Sequence, residues 1–468
     1  MSSSSALALP GRGAALARFG EWLARHQGAI RLTQWAVIAV YAVLVAVPSA
    51  LELPPRTAHI WSDLTLFAQF AFWGIWWPFV LLSMVVVGRA WCGLLCPEGA
   101  LTEFASRWSL GRHVPRWLTW PGWPFVAFSL TTIYGQMVSV YQYPKPVLLI
   151  LGGSTAGAIA IGLVYGRNKR VWCRYLCPVN GVFGLLAKLA PVAFQVDGAA
   201  WRRSPHPGRR GAAVVNCAPL VPIRTMRSAT PCHMCGRCSG FRGAVQLAPR
   251  SPNHEIVRVS ASTASGWDSA LILFGLMGVA LGAFQWTSSP WLVDAKQLSA
   301  EWLVEHGITW PLERSAPWWL LTNYPAQNDV LTLLDGFLLL AYIGLVAAAA
   351  GAALSACLAL SVRAAGPFSG RRFHHLAHAL LPMAGCGVFL GLFGITTTML
   401  KAEGMPMFWL PGLRAGMLAG AAAWSAWLAW QVIGAWAPAP PRHVLAWLFA
   451  AAALAIALSG WGLLFFVW

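Results

Sequence analysis

Charge is what this 468-residue chain has least of: only 10% of its residues are Asp, Glu, Lys or Arg, and just 15 are acidic. A soluble domain carries about a quarter charged residues, so water is not the expected solvent for most of this chain. Polar sequence is equally scarce, with one sizeable polar stretch at 191–267. There is no Cys-x-x-Cys-His haem-attachment motif and no obvious large flavin domain outside the apolar runs. Cysteine is sparse too, ten in all, yet eight of the ten precede residue 239.

What the chain does have is 57% hydrophobic residues and 28 tryptophans, a side chain suited to the headgroup level of a bilayer. Apolar runs near 32–50, 64–87, 122–140, 147–165, 268–287, 333–360, 376–399, 413–436 and 444–467 approach the roughly 20 residues that cross a membrane. The expected fold is therefore an all-α integral membrane protein of about nine transmembrane helices with a small cytoplasmic ferredoxin-like segment. The net charge of +18 could suggest a nucleic-acid partner. Its distribution argues against one: with a cytoplasmic N-terminus, 27 of the 33 Lys and Arg fall in loops on the cytoplasmic side. Arg56, Lys145, Lys296, Arg314, Lys401 and Arg414 remain outside, with nine of the 15 acids. That asymmetry is the positive-inside pattern, so the charge reports orientation, and Trp468 is expected on the outer side. The basic stretch before the first run is far longer than an ordinary signal-peptide n-region, which makes that run a permanent anchor.

Three blocks follow along the chain: 1–190 with four spans, 191–267 as the polar segment, and 268–468 with five more spans. The last reads as a bundle packed through small residues such as Ala347–Ala353 and Gly420–Ala423. Within it, Ser288–Val330 is placed outside, with an interfacial helix.

The first block holds an internal repeat. Arg89-Ala-Trp-Cys-Gly-Leu-Leu-Cys-Pro97 returns as Arg170-Val-Trp-Cys-Arg-Tyr-Leu-Cys-Pro178, each at the end of an even-numbered span, so parity puts both on the cytoplasmic face. Cysteines at i and i+4 share one face of a helical turn, about 5–6 Å apart, and each phrase supplies half of a four-sulfur site. Cys92, Cys96, Cys173 and Cys177 are thus the expected ligands of one [4Fe–4S] cluster. Proline after the second cysteine turns the chain away and frees amides toward the sulfurs.

The polar segment carries Cys232-His-Met-Cys-Gly-Arg-Cys238, three cysteines at the spacing of bacterial ferredoxins. The ferredoxin run would have its fourth cysteine at about position 242, where this chain has Arg242; Cys217 is the free cysteine that completes the set. Cys217, Cys232, Cys235 and Cys238 are the expected ligands of a second [4Fe–4S] cluster, with Arg237 and Arg242 offsetting its negative charge. Zinc is the main rival for this segment, and a partition in which ligands are exchanged between the two clusters is open. A reducing compartment makes disulfides among these cysteines unexpected.

At these residues the chain resembles the membrane polyferredoxin family, which includes NapH-type quinol dehydrogenase subunits, NosR-type proteins and CcoG-type accessory proteins. The resemblance covers about residues 30–250. It implies electron transfer in the inner membrane of a bacterium, commonly linked to the quinone pool, with a redox partner protein as donor or acceptor. It leaves two functions in play: a quinol-dehydrogenase-type oxidoreductase component, or an accessory or regulatory protein that reduces a metal or senses redox state. This chain departs from the family in having one ferredoxin-like segment without its Cys-Pro end and about 200 further residues of membrane bundle.

Other candidates are weaker. His374, His375 and His378 could ligate haem or relay protons, but a basic flank beside Arg371 and Arg372 explains them more simply. Cys357 and Cys386 suit packing in small-residue helices. His59 and Asp63, near the outer entrance of the second span, are candidates for quinol deprotonation.

Overall fold

The computed structural model describes residues 10–55, 57–204, 215–436 and 439–468; Arg56, Arg209 and Arg210, counted in the charge asymmetry above, lie outside them. The fold is all-α apart from two small two-stranded antiparallel sheets among the described residues. Among the described residues, seven helices are long and apolar enough to cross a membrane: Gln27–Ala50, Leu64–Val87, Pro144–Tyr165, Gly266–Gln285, Leu333–Ala365, Gly370–Ala402 and Pro440–Val467. The other two expected spans also form helices. Trp123–Met137 has 15 residues, about 22 Å at 1.5 Å per residue, short of a hydrocarbon core of about 30 Å. Leu410–Gly434 has 25 residues, but its glycines and three tryptophans dilute its apolar character.

The chain packs as two units, each assembled from separated stretches. One comprises 1–41, 80–120 and 154–259 and contains both cysteine phrases and the polar segment as far as residue 259. Its polar part is built on strands Val192–Val196 and Val245–Pro249, paired with Phe194 opposite Leu247. Phe194, Met234, Val245 and Leu247 form the core beneath the Cys232–Cys238 loop, and Leu16 of helix Pro10–Arg25 packs onto it. The helix comes this close because Gly20 has no side chain: a Cβ there would stand 2.8 Å from Ser239 Oγ and 3.0 Å from Leu247 Cβ.

The other unit comprises 42–79, 121–153 and 260–468. Small residues do join its helices, as expected for packing in lipid. A Cβ on Gly278 would lie 2.8 Å from Ala347 Cα, and one on Gly387 would enter the buried ring of Trp461. Gly420, from the other small-residue run, faces open space. The segment after residue 288 forms helix Pro290–Glu305 with no buried residue, exposing Trp291, Leu298 and Trp302, as an interfacial helix should.

Candidate iron–sulfur centre

The two cysteine phrases fold alike. Cys92 lies in the short helix Ala90–Leu94 and Cys173 in Val171–Tyr175. In the first phrase the amides of Leu95 and Cys96 both donate to the Trp91 carbonyl, each at 2.9 Å. In the second, those of Leu176 and Cys177 donate to the Trp172 carbonyl at 2.9 and 3.0 Å. The second cysteine of each pair therefore sits just past the helical turn, not on its continuing face. Pro97 opens the next helix, Pro97–Ala105, where a missing amide hydrogen costs nothing. Cys96 caps that helix, its Sγ accepting from the Gly99 amide at 3.4 Å.

Cys92, Cys96, Cys173 and Cys177 come together across the repeat. Burial, followed by Cys173, Cys92 and Glu98, pushes the Cys96 thiol well up from its ordinary value. Burial raises Cys177 too, with Glu98, Cys173, Cys96 and Cys92 adding to it. Cys173 is pushed up to about 12 by burial, Arg170 opposing and Cys92 and Glu98 adding. Glu98 itself is raised, burial outweighing its hydrogen bonds from Ser154 and from Trp172 Nε1, the latter at 3.2 Å.

The second four also assemble. Burial raises Cys232 to about 12, and both Cys235 and Cys217 add to it. Burial likewise raises Cys238, reinforced by Cys232, Cys235 and Cys217. Cys217 is raised by burial and by Cys235, while Lys169 and Arg237 oppose. The loop winds through left-handed backbone at Met234 (φ 54°) and Gly236 (φ 77°). At Gly236 only glycine fits, since a Cβ would lie 2.4 Å from Leu23 Cβ. The Met234 amide donates to the Cys232 sulfur and the Val221 amide to that of Cys217.

This donor set fits iron–sulfur chemistry. Thiols this buried and this close to one another resist ionising alone; iron supplies the positive charge that makes thiolates stable there. Among the described residues no three His, Cys, Asp or Glu side chains converge to hold a single metal ion.

The matched family model is a 4Fe–4S binding domain, over residues 69–116 and 151–196. The chain carries a 4Fe–4S binding domain. Its two segments contain the two cysteine phrases, one in each; the Cys217–Cys238 group lies outside both. YccM of Escherichia coli K12, named for electron transport, is 24% identical over 233 residues, 44% of this chain and 62% of its own length. MauN of Methylorubrum extorquens, a methylamine utilization ferredoxin-type protein, is 28% identical over 131 residues, 24% of this chain and 43% of its own. NosR of Pseudomonas aeruginosa, a regulatory protein, is 27% identical over 133 residues, 24% of this chain and 19% of its own. The chain thus spans less than two thirds of the length of each of these relatives. No solved structure gives a significant match. The resemblance to membrane ferredoxin-type iron–sulfur proteins expected from the cysteine phrases is borne out.

Arg170 and Glu103, within the matched segments, have roles that the sequence did not single out. Arg170, 1% exposed, donates from Nε to Glu103 at 2.7 Å and from Nη1 to the Cys92 carbonyl at 2.6 Å. Glu103 also pairs with Arg237 at 2.6 Å. Burial alone would raise Glu103, but the two guanidiniums outweigh it and hold the carboxylate below its usual range. Arg242 does not join this network; its guanidinium stacks over Trp201, 5.0 Å from the ring centre. Gln27 Nε2 donates to the Cys235 carbonyl and Gln34 Nε2 to that of Gly93, each at 3.0 Å. A signal for these was present: an arginine at the same offset in both phrases, and two glutamines seven apart entering an apolar run.

The remaining candidates are placed as follows. Asp63 caps helix Leu64–Gln69, accepting from the amides of Thr65 and Leu66 at 2.8 and 3.0 Å, while His59 pairs with Glu403 at 3.1 Å. His375 and His378 are buried, His378 Nε2 is 3.6 Å from Asp268, and His374 Nδ1 is 3.0 Å from Ser269 Oγ. Cys357 and Cys386 lie within spans Leu333–Ala365 and Gly370–Ala402, apart in sequence from the eight.

Proposed function

We propose that this chain is a membrane-bound iron–sulfur electron-transfer protein holding two [4Fe–4S] clusters, one on Cys92, Cys96, Cys173 and Cys177 and one on Cys217, Cys232, Cys235 and Cys238. The observation that carries this reading is the grouping of the thiols into two fours: for Cys96, Cys173, Cys177, Cys217, Cys232 and Cys238 the interactions with other cysteines fall within one set of four. When bound, the clusters supply one-electron chemistry; the protein supplies position, hydrogen bonds to sulfur and buried charge. Electrons pass between the quinone pool or a soluble donor and a respiratory partner protein.

The charge asymmetry supports placing both centres at the cytoplasmic face of a bacterial inner membrane, with the N-terminus inside and the C-terminus outside. The adjoining phrases add to this. Two segments on one side of a bilayer are separated by an even number of crossings, so this placement requires the 15-residue helix Trp123–Met137, with its flanking residues, to cross beside Pro144–Tyr165. The name of NosR favours one second reading, in which the same clusters sense redox state for regulation.

Anaerobic purification tests the central claim. The expected product is a coloured protein with roughly eight iron and eight acid-labile sulfide per chain, as two [4Fe–4S] clusters require. A colourless protein with zinc and no sulfide would overturn it.

A further inference from the structure

Between the two cysteine groups the packing is close enough to exclude a methyl group. A Cβ at Gly93, the residue after Cys92, would lie 2.0 Å from the His233 carbonyl oxygen and 2.9 Å from the Cys235 nitrogen. The backbone that carries one group thus rests directly on the backbone that carries the other.

Two guanidiniums enter this seam, one from each half of the repeat. Arg89 and Arg170 each stand three residues before the first cysteine of their phrase, and they are only 4% and 1% exposed. Each crosses to the other half. Arg89 donates to Asn180 Oδ1, just past Cys177, and to the Thr230 carbonyl, just before Cys232, both at 2.8 Å. Arg170 donates to the Cys92 carbonyl and to Glu103. The positive charge of Arg89 acts on Cys173 and Cys232, and that of Arg170 on Cys173 and Cys235, so each serves both groups. The carboxylate Glu103 is divided between Arg170 and Arg237, so these two guanidiniums share one counter-ion, while Arg89 pairs with neutral acceptors. Each arginine also keeps one buried N–H without an acceptor in the protein, Nε on Arg89 and Nη2 on Arg170. Buried donors of this kind are costly unless something accepts from them, and cluster sulfur is an acceptor.

We propose that Arg89 and Arg170 form a shared positive bridge that raises the reduction potentials of both clusters together. This rests on the two-cluster reading above. An electron added to a cluster is an added negative charge, and a fixed cation in a water-poor seam stabilises it far more than a surface cation would. A cation placed between two clusters moves both potentials; one that belongs to a single cluster moves one. Both arginines act through position and charge, with no part in bond making.

The test is a potentiometric titration, followed by electron paramagnetic resonance, of the anaerobically purified full chain and its Arg170→Gln, Arg170→Lys and Arg89→Gln variants, with iron and sulfide counted for each. At unchanged iron content, Arg170→Gln should lower both midpoints, the reduction equilibrium of each cluster falling about tenfold, or ~59 mV for a one-electron couple. Arg170→Lys should recover most of that shift, and Arg89→Gln should also move both midpoints down. Unmoved midpoints, a shift confined to one cluster, or a lysine variant shifted as far as the glutamine variant would overturn the bridge. So would loss of iron from all three variants, which would make the arginines structural braces alone. Wild-type protein with two clusters and insensitive potentials would sink only the bridge, whereas wild-type protein without iron would sink the two-cluster reading beneath it.

Discussion

Cys217 stands 15 residues ahead of the Cys232–Cys238 loop, yet it interacts electrostatically with Cys232, Cys235 and Cys238. Cys217→Ser and Cys235→Ser are therefore expected to abolish the same cluster signal, each leaving roughly half of the iron in the protein. Iron analysis and resonance spectra of the two variants check this; an intact second signal in Cys217→Ser alone would refute the assignment. The cysteines were legible because residue type and spacing by themselves announce the chemistry. Arg170 was not, although it belongs to the repeated phrase. An arginine's role depends on whether water reaches it, and that is decided by Glu103 and the Cys92 carbonyl, 67 and 78 positions earlier. Asp63 shows the same limit from the other side: its spacing from His59 suggested shared chemistry, while its carboxylate is engaged by the first amides of the following helix.

At the scale of elements, the ferredoxin-like loop is held by a brace that the sequence hid. Glu255, fully buried, accepts from Arg250 and Ser228 Oγ and from the Ala229 amide at 3.1–3.2 Å, fixing the approach to Cys232. Arg250 in turn donates to the carbonyls of Ala187, Lys188 and Ala190. Glu255→Ala leaves Arg250 with a buried charge and no counter-ion, a loss of about 3–5 kcal/mol for a broken buried pair. The expected outcome is a lower unfolding midpoint and a second cluster that is lost first on mild heating; unfolding curves with parallel cluster absorbance measure both, and an unchanged midpoint would contradict the brace. Hydropathy located helices at all nine apolar runs, because periodicity and apolarity are local. It misjudged lengths where the chain turns early, as at Trp123–Met137, since a helix end is set by what its last turn packs against.

For the whole molecule the quinone link is the part that reaches furthest beyond the cysteines. In anaerobic native membranes, added quinol is expected to reduce the clusters and added quinone to reoxidise them, followed by the cluster signals. No response in either direction would remove the quinone pool as partner and leave a soluble donor. The three blocks read along the chain, 1–190, 191–267 and 268–468, follow its order, whereas the folded chain draws its packing units from alternating stretches. Helices adjacent in sequence need not be packed together, and a linear reading has no means of seeing this.

The amino-acid sequence by itself determined the membrane class, the positions of the apolar helices and which eight cysteines are the candidate sulfur donors, because composition, hydropathy and residue type act locally and need no fold to be read. Tertiary structure alone decided that Gly93 rests on His233 and Cys235, that Arg89 and Arg170 are buried between the two cysteine groups, and that Glu103 is shared between Arg170 and Arg237. Each of those facts depends on residues tens to more than a hundred positions apart meeting where water is excluded. Burial of that kind, more than the residues' identity, makes their charges count.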